Sequence, residues 1–512
     1  MPSLMPSRFF WVRASDMEFK TQLTNELRDV AANLADVARA AGLDFFPTIF
    51  ELIDYQQLNE IAAYGGFPTR YPHWRFGMEY DRLSKSYTYG LSTIYEMVIN
   101  TNPCYAYLLR ANSLAFQKTV MAHVYAHCDF FKNNYWFHKT NRKMLDQMAN
   151  HASYIRSLID DVGHDEVESF IDLCLSIENL IDIHAPFRAT VKKPDLDAEP
   201  SRPKPVSKIK AKSYMDRYVN PKEFLDAQAR KQVEASEKQR SFPENPERDV
   251  LKFLIDNAPM ERWQKRVLEI IREESYYFAP QGQTKIMNEG WATYWHSEMM
   301  TKLAPLTESE IIDYCEQYAG IVASQPGQLN PYKLGVELLR HVERRWDKGR
   351  FGKDYMDCDD PRKRASWDTK AMLGRAKLFE IRKIHNDITF IDEFLDEDFC
   401  HETKMFIYEY DRRSGQHVIS GRDFADIKRR LLQQLTNFGQ PVILVKDANF
   451  KNRGELLLLH QHEGMDLKHD FALETLRNIF KIWRRPVHIE TIVEESNRRV
   501  TFDGTNHQVE KF

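Results

Sequence analysis

Residues 287–300 read MNEGWATYWHSEMM. In a helix, Glu289, Thr293 and His296 share one face, because steps of four and three residues stay on one side of a 3.6-residue turn. Glu289 is expected in the first turn, where its charge suits the positive end of the helix dipole. Read for packing alone, the stretch is an amphipathic core helix that buries Trp291 and Trp295. Upstream, AHVYAHCDFFKNN (122–134) lies on a helix expected from Asn112 to Phe131, with Asn112 or Ser113 as its cap. His123 and His127 then sit one turn apart on one face. That spacing suits a shared metal ion, and it equally suits two hydrogen-bonded interior histidines.

Around these two stretches the chain is long enough, at 512 residues, for a large core and two or three domains. Hydrophobic residues at 43% and charged residues at 29% describe a globular chain. A net charge of −4 gives no electrostatic case for nucleic acid or for an anionic membrane. Six scattered cysteines without a C-x-x-C pair point to reduced thiols in a cytoplasmic protein, and against a structural zinc knuckle. No apolar run approaches a membrane span, and the N-terminus has no secretory h-region.

Residues 1–16 are read as a disordered leader. Helical spacing follows over 16–41, 49–64, 79–99, 141–160 and 164–186, ending at turn residues such as Gly42. From 190 to 245 prolines and charges dominate, as in an exposed linker or insert. Order resumes with helices either side of the 287–300 stretch, including one capped by Thr307 with Glu310 at the capping-box position. SQPGQLNPYKLGVELLRHVERRWDKGRFG (324–352) is a loop feeding a helix through Tyr332, Gly335 and Arg340, and such loops often touch substrate. From about Phe394 the grammar changes. KMFIYEY, QPVILVKD, GELLLLHQHE and PVHIETIV read as strands, with two amphipathic helices between them. The expected fold is therefore mainly α, over 17–190 and 245–400, with a smaller C-terminal α+β domain over 402–512 and a mostly antiparallel sheet. His460 and His462 are expected at its surface or edge.

The combination AHVYAHCDFFKNN, IMNEGWATYWH and NPYKLGVELLRHVERRWDKGRFG resembles the stage V sporulation protein R family, from about residue 17 to the C-terminus. The resemblance implies a cytoplasmic bacterial protein with a role in spore cortex formation, or in stress and stationary-phase physiology of bacteria that do not sporulate. It also implies, as partners, a PrkA-type serine protein kinase and its von Willebrand-like neighbour protein.

A more distant resemblance carries chemistry. Gluzincin-type helical zinc peptidases place two histidines on one helix and a glutamate on a later one. One group of them has an EGWA-x-Y segment whose glutamate is a ligand, then a PGQ…Y-x-x-G loop and a Leu-Arg helix. Here the same order runs His123, His127, Glu289-GWATY, PGQLNPYKLGVELLR. The resemblance implies a gluzincin-like helical domain holding a divalent metal, zinc first and iron or manganese as alternatives, on His123, His127 and Glu289. His296 is two helical turns, about 10.5 Å, beyond Glu289 and is cast as a residue behind the ligands or against substrate. Asn133, Asn134, Asn288, Tyr332 and Arg340 complete the expected polar surroundings. The chain departs from those peptidases at Val124, where they carry the glutamate that activates water. Glu273, Glu274, Glu298, Asp129 and His296 are the available substitutes. Two readings stay open: a metal-dependent hydrolase of a peptide or amide, and a catalytically silent scaffold that binds a partner in the kinase pathway.

Overall fold

Ser113 starts the helix on which much of the fold is built: its side chain accepts the Phe116 N–H, and the helix runs Leu114–Asn133. Nearly every residue from Thr119 to Phe131 is buried, so this histidine helix is enclosed on all sides, as a mid-core helix must be. The computed structural model describes residues 22–88, 97–188, 242–304, 306–324 and 328–512, together with Pro221, Asp226 and Arg230. The expected leader (1–16) and the Pro326–Gly327 turn lie outside the described residues. So does most of the expected linker between 190 and 245.

The chain divides into two compact units. The first combines the described residues of Met1–Ser169 and Tyr276–Gln440; the second combines those of Phe170–Ser275 and Pro441–Phe512. The architecture is mainly helical with a C-terminal sheet.

In the first unit, β1 (Thr48–Ile53), β2 (Met97–Ile99) and β3 (Cys104–Leu109) form a small sheet in the order β1-β3-β2. β1 and β3 are parallel, while β2 and β3 are antiparallel. Helical spacing over 49–64 is corrected here: Thr48–Ile53 is a strand, and Asp54 then caps a helix over Tyr55–Ala63. The aromatic and branched residues of TIFELI suit a pleated surface, and pairing with β3 decides the matter. Likewise the 79–99 segment contains the end of a helix, Trp74–Thr88, and the strand β2.

Beside the histidine helix lies the glutamate helix, Lys285–Glu298, whose residues from Ile286 onward are all buried. Trp291, Tyr294 and Trp295 supply its packing bulk. Its start is at Lys285, so Glu289 lies beyond the first turn, contrary to expectation, and that turn holds no acid. Asp387 takes the capping role from elsewhere in the chain. Its carboxylate accepts the backbone N–H groups of Ile286 and Met287, each at 2.8 Å, satisfying two otherwise orphaned donors. Burial raises this carboxyl to about 7, against the pull of those two N–H groups.

The third helix, Pro331–Asp347, starts at Asn330, which accepts from Tyr332 and Lys333, with Pro331 at its first position. It crosses the glutamate helix backbone to backbone. A Cβ on Gly290 would stand 2.5 Å from Gly335 Cα, and one on Gly335 would stand 2.2 Å from the Ile286 carbonyl oxygen. Only glycine fits on either side. A further helix, Glu308–Ile321, begins at Thr307, whose N–H and hydroxyl both bond the Glu310 carboxylate. A separate hairpin, β4 (Ile407–Asp411) with β5 (Gln416–Gly421), and the helix Phe424–Leu435 also fall in the first unit.

The second unit holds a five-stranded sheet of β6 (Val442–Phe450), β7 (Glu455–Gln461), β8 (Val487–Val493), β9 (Ser496–Phe502) and β10 (His507–Lys511). Its order is β10-β9-β8-β7-β6. All pairings are antiparallel except β7 with β8. That parallel pair needs a crossover, and the helix His469–Trp483 supplies it. Since β7 is an inner strand, His460 is buried rather than at the surface, with its Nδ1 2.9 Å from Thr491 Oγ1.

Candidate metal centre

His123 and His127 point from one turn of the histidine helix toward Glu289. Ligand-capable atoms of the three residues all lie within 4.8 Å of one another, and all three residues are buried. Glu289 Oε2 is 3.6 Å from His123 Nε2 and 3.4 Å from His127 Nε2. For a tetrahedral ion with bonds of 2.0–2.1 Å, the ligand-to-ligand edge is about 3.4 Å. Two imidazoles and a carboxylate at that separation fit a divalent ion, and Glu289 Oε2 is buried without a normal hydrogen bond. Burial alone would raise the Glu289 carboxyl. The charge of His127, the two imidazoles and Lys285 together hold it well below the ordinary carboxylate range.

Behind the imidazoles, two contacts set the ring orientations. His127 Nδ1 lies 2.9 Å from Asn288 Oδ1; an amide oxygen only accepts, so Nδ1 carries a proton and Nε2 is the nitrogen turned to Glu289. His123 Nδ1 lies 2.8 Å from His296 Nδ1. The two-turn separation of His296 from Glu289 is thus spanned by the His123 ring. Burial, with the positive surroundings of His123 and Arg340, pushes His296 well below the ordinary imidazole range. Tyr332 stacks on His123 with ring centroids 6.2 Å apart. Arg340 stands one shell further out, donating to Tyr318 Oη at 3.0 Å and Ser297 Oγ at 2.9 Å.

Asn133 and Asn134 do not join this group. The Asn133 amide donates to the carbonyls of Asp44 and Asp129, and the Asn134 amide to those of Arg382 and His385. Both close off the end of the histidine helix. Among the candidate bases, Glu298 is paired with Lys302 and Arg375. Asp129 is wholly buried and accepts from Arg382, Trp291 and the Asp44 N–H. Burial lifts its carboxyl to about 6 against those partners, and it ties the histidine and glutamate helices together. Glu273 and Glu274 belong to the second unit.

Sequence reasoning missed Lys285, whose ammonium is 2.5 Å from Glu289 Oε1 and 5.8 Å from the Tyr332 ring centroid. Its signal was present, a lysine and a glutamate four residues apart on one helix. Tyr314 and Tyr318, whose rings stand edge-on to His296 at 5.9 and 6.0 Å, had no local signal.

A family model described as "SpoVR like protein" matches residues 21–440. A protein of Escherichia coli (strain K12) bearing the name "Uncharacterized protein YcgB" is 29% identical over 501 residues, covering 93% of each chain. No solved structure matches. No helix among the described residues is long and apolar enough to cross a membrane.

Proposed function

The chain belongs to the SpoVR-like family, and from that premise we propose that it is a gluzincin-like, metal-dependent hydrolase of a peptide or amide. The observation that carries this reading is the convergence of His123 Nε2, His127 Nε2 and Glu289 Oε2 at tetrahedral-edge spacing. Held there, a divalent ion would supply Lewis-acid polarisation of a carbonyl. The chain supplies the rest. Asn288 and His296 orient the two imidazoles, Lys285 neutralises the outer oxygen of Glu289, and Tyr332 covers the His123 ring. Zinc fits the donor set best, with iron and manganese as alternatives.

Val124 favours a second reading. It is fully buried and cannot accept a proton where gluzincin-type peptidases carry a glutamate. A catalytically silent scaffold that binds a partner in a serine protein kinase pathway uses the same centre without turnover. The cytoplasmic setting, a role in cortex formation or stress physiology, the PrkA-type kinase and its von Willebrand-like neighbour rest on the family resemblance alone.

Elemental analysis tests the centre. Full-length protein purified without a histidine tag and reconstituted with zinc, iron or manganese is expected to hold one ion per chain. His123→Ala, His127→Ala and Glu289→Ala should each lose it, since two remaining ligands cannot hold the ion against water. A wild-type chain holding well under one ion of any of the three would sink the hydrolase reading. One ion per chain with no turnover of peptide or amide libraries would favour the scaffold.

A further inference from the structure

Past His123, the face of the glutamate helix bearing Glu289, Thr293 and His296 meets the helix Glu308–Ile321. Thr293, His296 and Tyr314 are 0%, 0% and 4% exposed, and Thr293 Oγ1, His296 Nε2 and the Tyr314 hydroxyl have no hydrogen-bond partner among the described residues. Buried polar groups left unmet are costly, so the arrangement calls for a partner. Tyr314 and Tyr318 flank the His296 ring, and their own centroids are 5.9 Å apart. Arg340 closes the group, with its guanidinium carbon 5.9 Å from the Tyr318 centroid.

We propose that this cluster of unmet polar groups receives a carboxylate of the substrate, so that the hydrolysed peptide or amide carries a free carboxylate one to two residues from the bond addressed at the centre. The inference rests on the metal-dependent reading above. Its chemistry follows from the tautomers. For His123 to present a bare Nε2 to an ion, its Nδ1 must carry the proton and donate to His296 Nδ1. The remaining His296 proton is then on Nε2, a donor. Thr293 and Tyr314 add hydroxyl donors. Arg340 is permanently charged, yet its described hydrogen bonds go to two neutral hydroxyls, and no carboxylate stands within ion-pair distance of it among the described residues. On its own helix Glu337 has its carboxyl raised by burial, against the pull of Lys333 and Arg340. A donor-lined site with one cation matches an acceptor-only group of single charge. A phosphate dianion would call for more positive charge than this. A single imidazole ring separates the centre from His296, which sets the short span at about 3.3–3.6 Å per residue.

The test is calorimetric binding of N-acetyl-Gly-Gly, and of the same peptide as its C-terminal amide, to the full-length zinc-loaded protein. The acid is expected to bind at least about tenfold tighter. Tyr314→Phe and Arg340→Gln should each erase most of that preference with zinc content unchanged. Tyr314→Phe removes a hydroxyl that bonds nothing among the described residues, so a purely structural role predicts no change from it. Equal binding of acid and amide, or a preference surviving in both variants, would overturn the inference while leaving the metal reading intact. A chain that takes up no zinc removes both together, and elemental analysis tells the two failures apart.

Discussion

His488 in the sheet of the second unit and His127 in the first unit are equally buried, at 3% exposure, but their ring nitrogens are treated differently. His488 Nδ1 sits 2.8 Å from Thr501 Oγ1 and its Nε2 sits 2.9 Å from Glu455 Oε2, so both nitrogens are within hydrogen-bond distance of protein oxygens. Around Glu289, by contrast, the Nε2 atoms of His123 and His127 converge at 3.6 and 3.4 Å on one carboxylate oxygen, longer than a good hydrogen bond. Both clusters contain buried histidine and glutamate. The difference lies in where the bonding capacity points. In the sheet it is used up between strands, and in the helical unit it is gathered on one point. Composition cannot separate a structural histidine from a candidate ligand, whereas this geometry can.

The comparison can be broken at its frame first. Gly335→Ala places a methyl group against the Ile286 carbonyl and should destabilise the first unit by about 3 kcal/mol, the upper end for overpacking. Denaturant unfolding reads this directly, and a change under about 0.5 kcal/mol would mean that the helices part easily. Next, His488→Ala should cost about 2 kcal/mol, because Glu455 Oε2 loses its imidazole partner in a buried setting. The same variant should leave metal content at the wild-type value. Loss of metal there would erase the distinction between the clusters.

The smallest effect is in pH. Burial, with His462 beside it, lowers His460 to about 4. Between about 4 and the unfolded value of 6.5 the unfolded chain binds the extra proton, so stability rises with pH across that window and is lost as pH falls through it. The amount is on the order of 1–2 kcal/mol after allowance for solvent screening. His460→Gln should flatten the stability-versus-pH slope between pH 4 and 6.5, and an unchanged slope would assign the acid sensitivity to other groups.

Local pattern made a good part of this molecule legible. The Ser113 cap, the one-turn spacing of His123 and His127, and the shared face of Glu289, Thr293 and His296 all follow from short-range helical geometry. What stayed hidden depends on partners far along the chain. Asp387 caps a helix that begins about a hundred residues earlier, and no rule of spacing links the two. Asn133 and Asn134 looked like pocket residues because amides are common in pockets, but the backbone carbonyls of Asp44 and Arg382 claim them. The strand at Thr48–Ile53 shows short apolar content that also fits a helix, and only β3 resolves it. His460 was misplaced because alternation reports a strand's two faces without telling what covers them.

The crossing of Gly290 and Gly335 has a consequence for positional noise. Elsewhere, two helices keep their distance through side chains that hop among rotamers, and each hop lets the spacing wander. At this crossing main chain rests on main chain, and there is no rotamer to change. Glu289 precedes one glycine by a single residue, and Tyr332 precedes the other by three. The carboxylate and the ring that covers His123 are therefore indexed to a joint with little play.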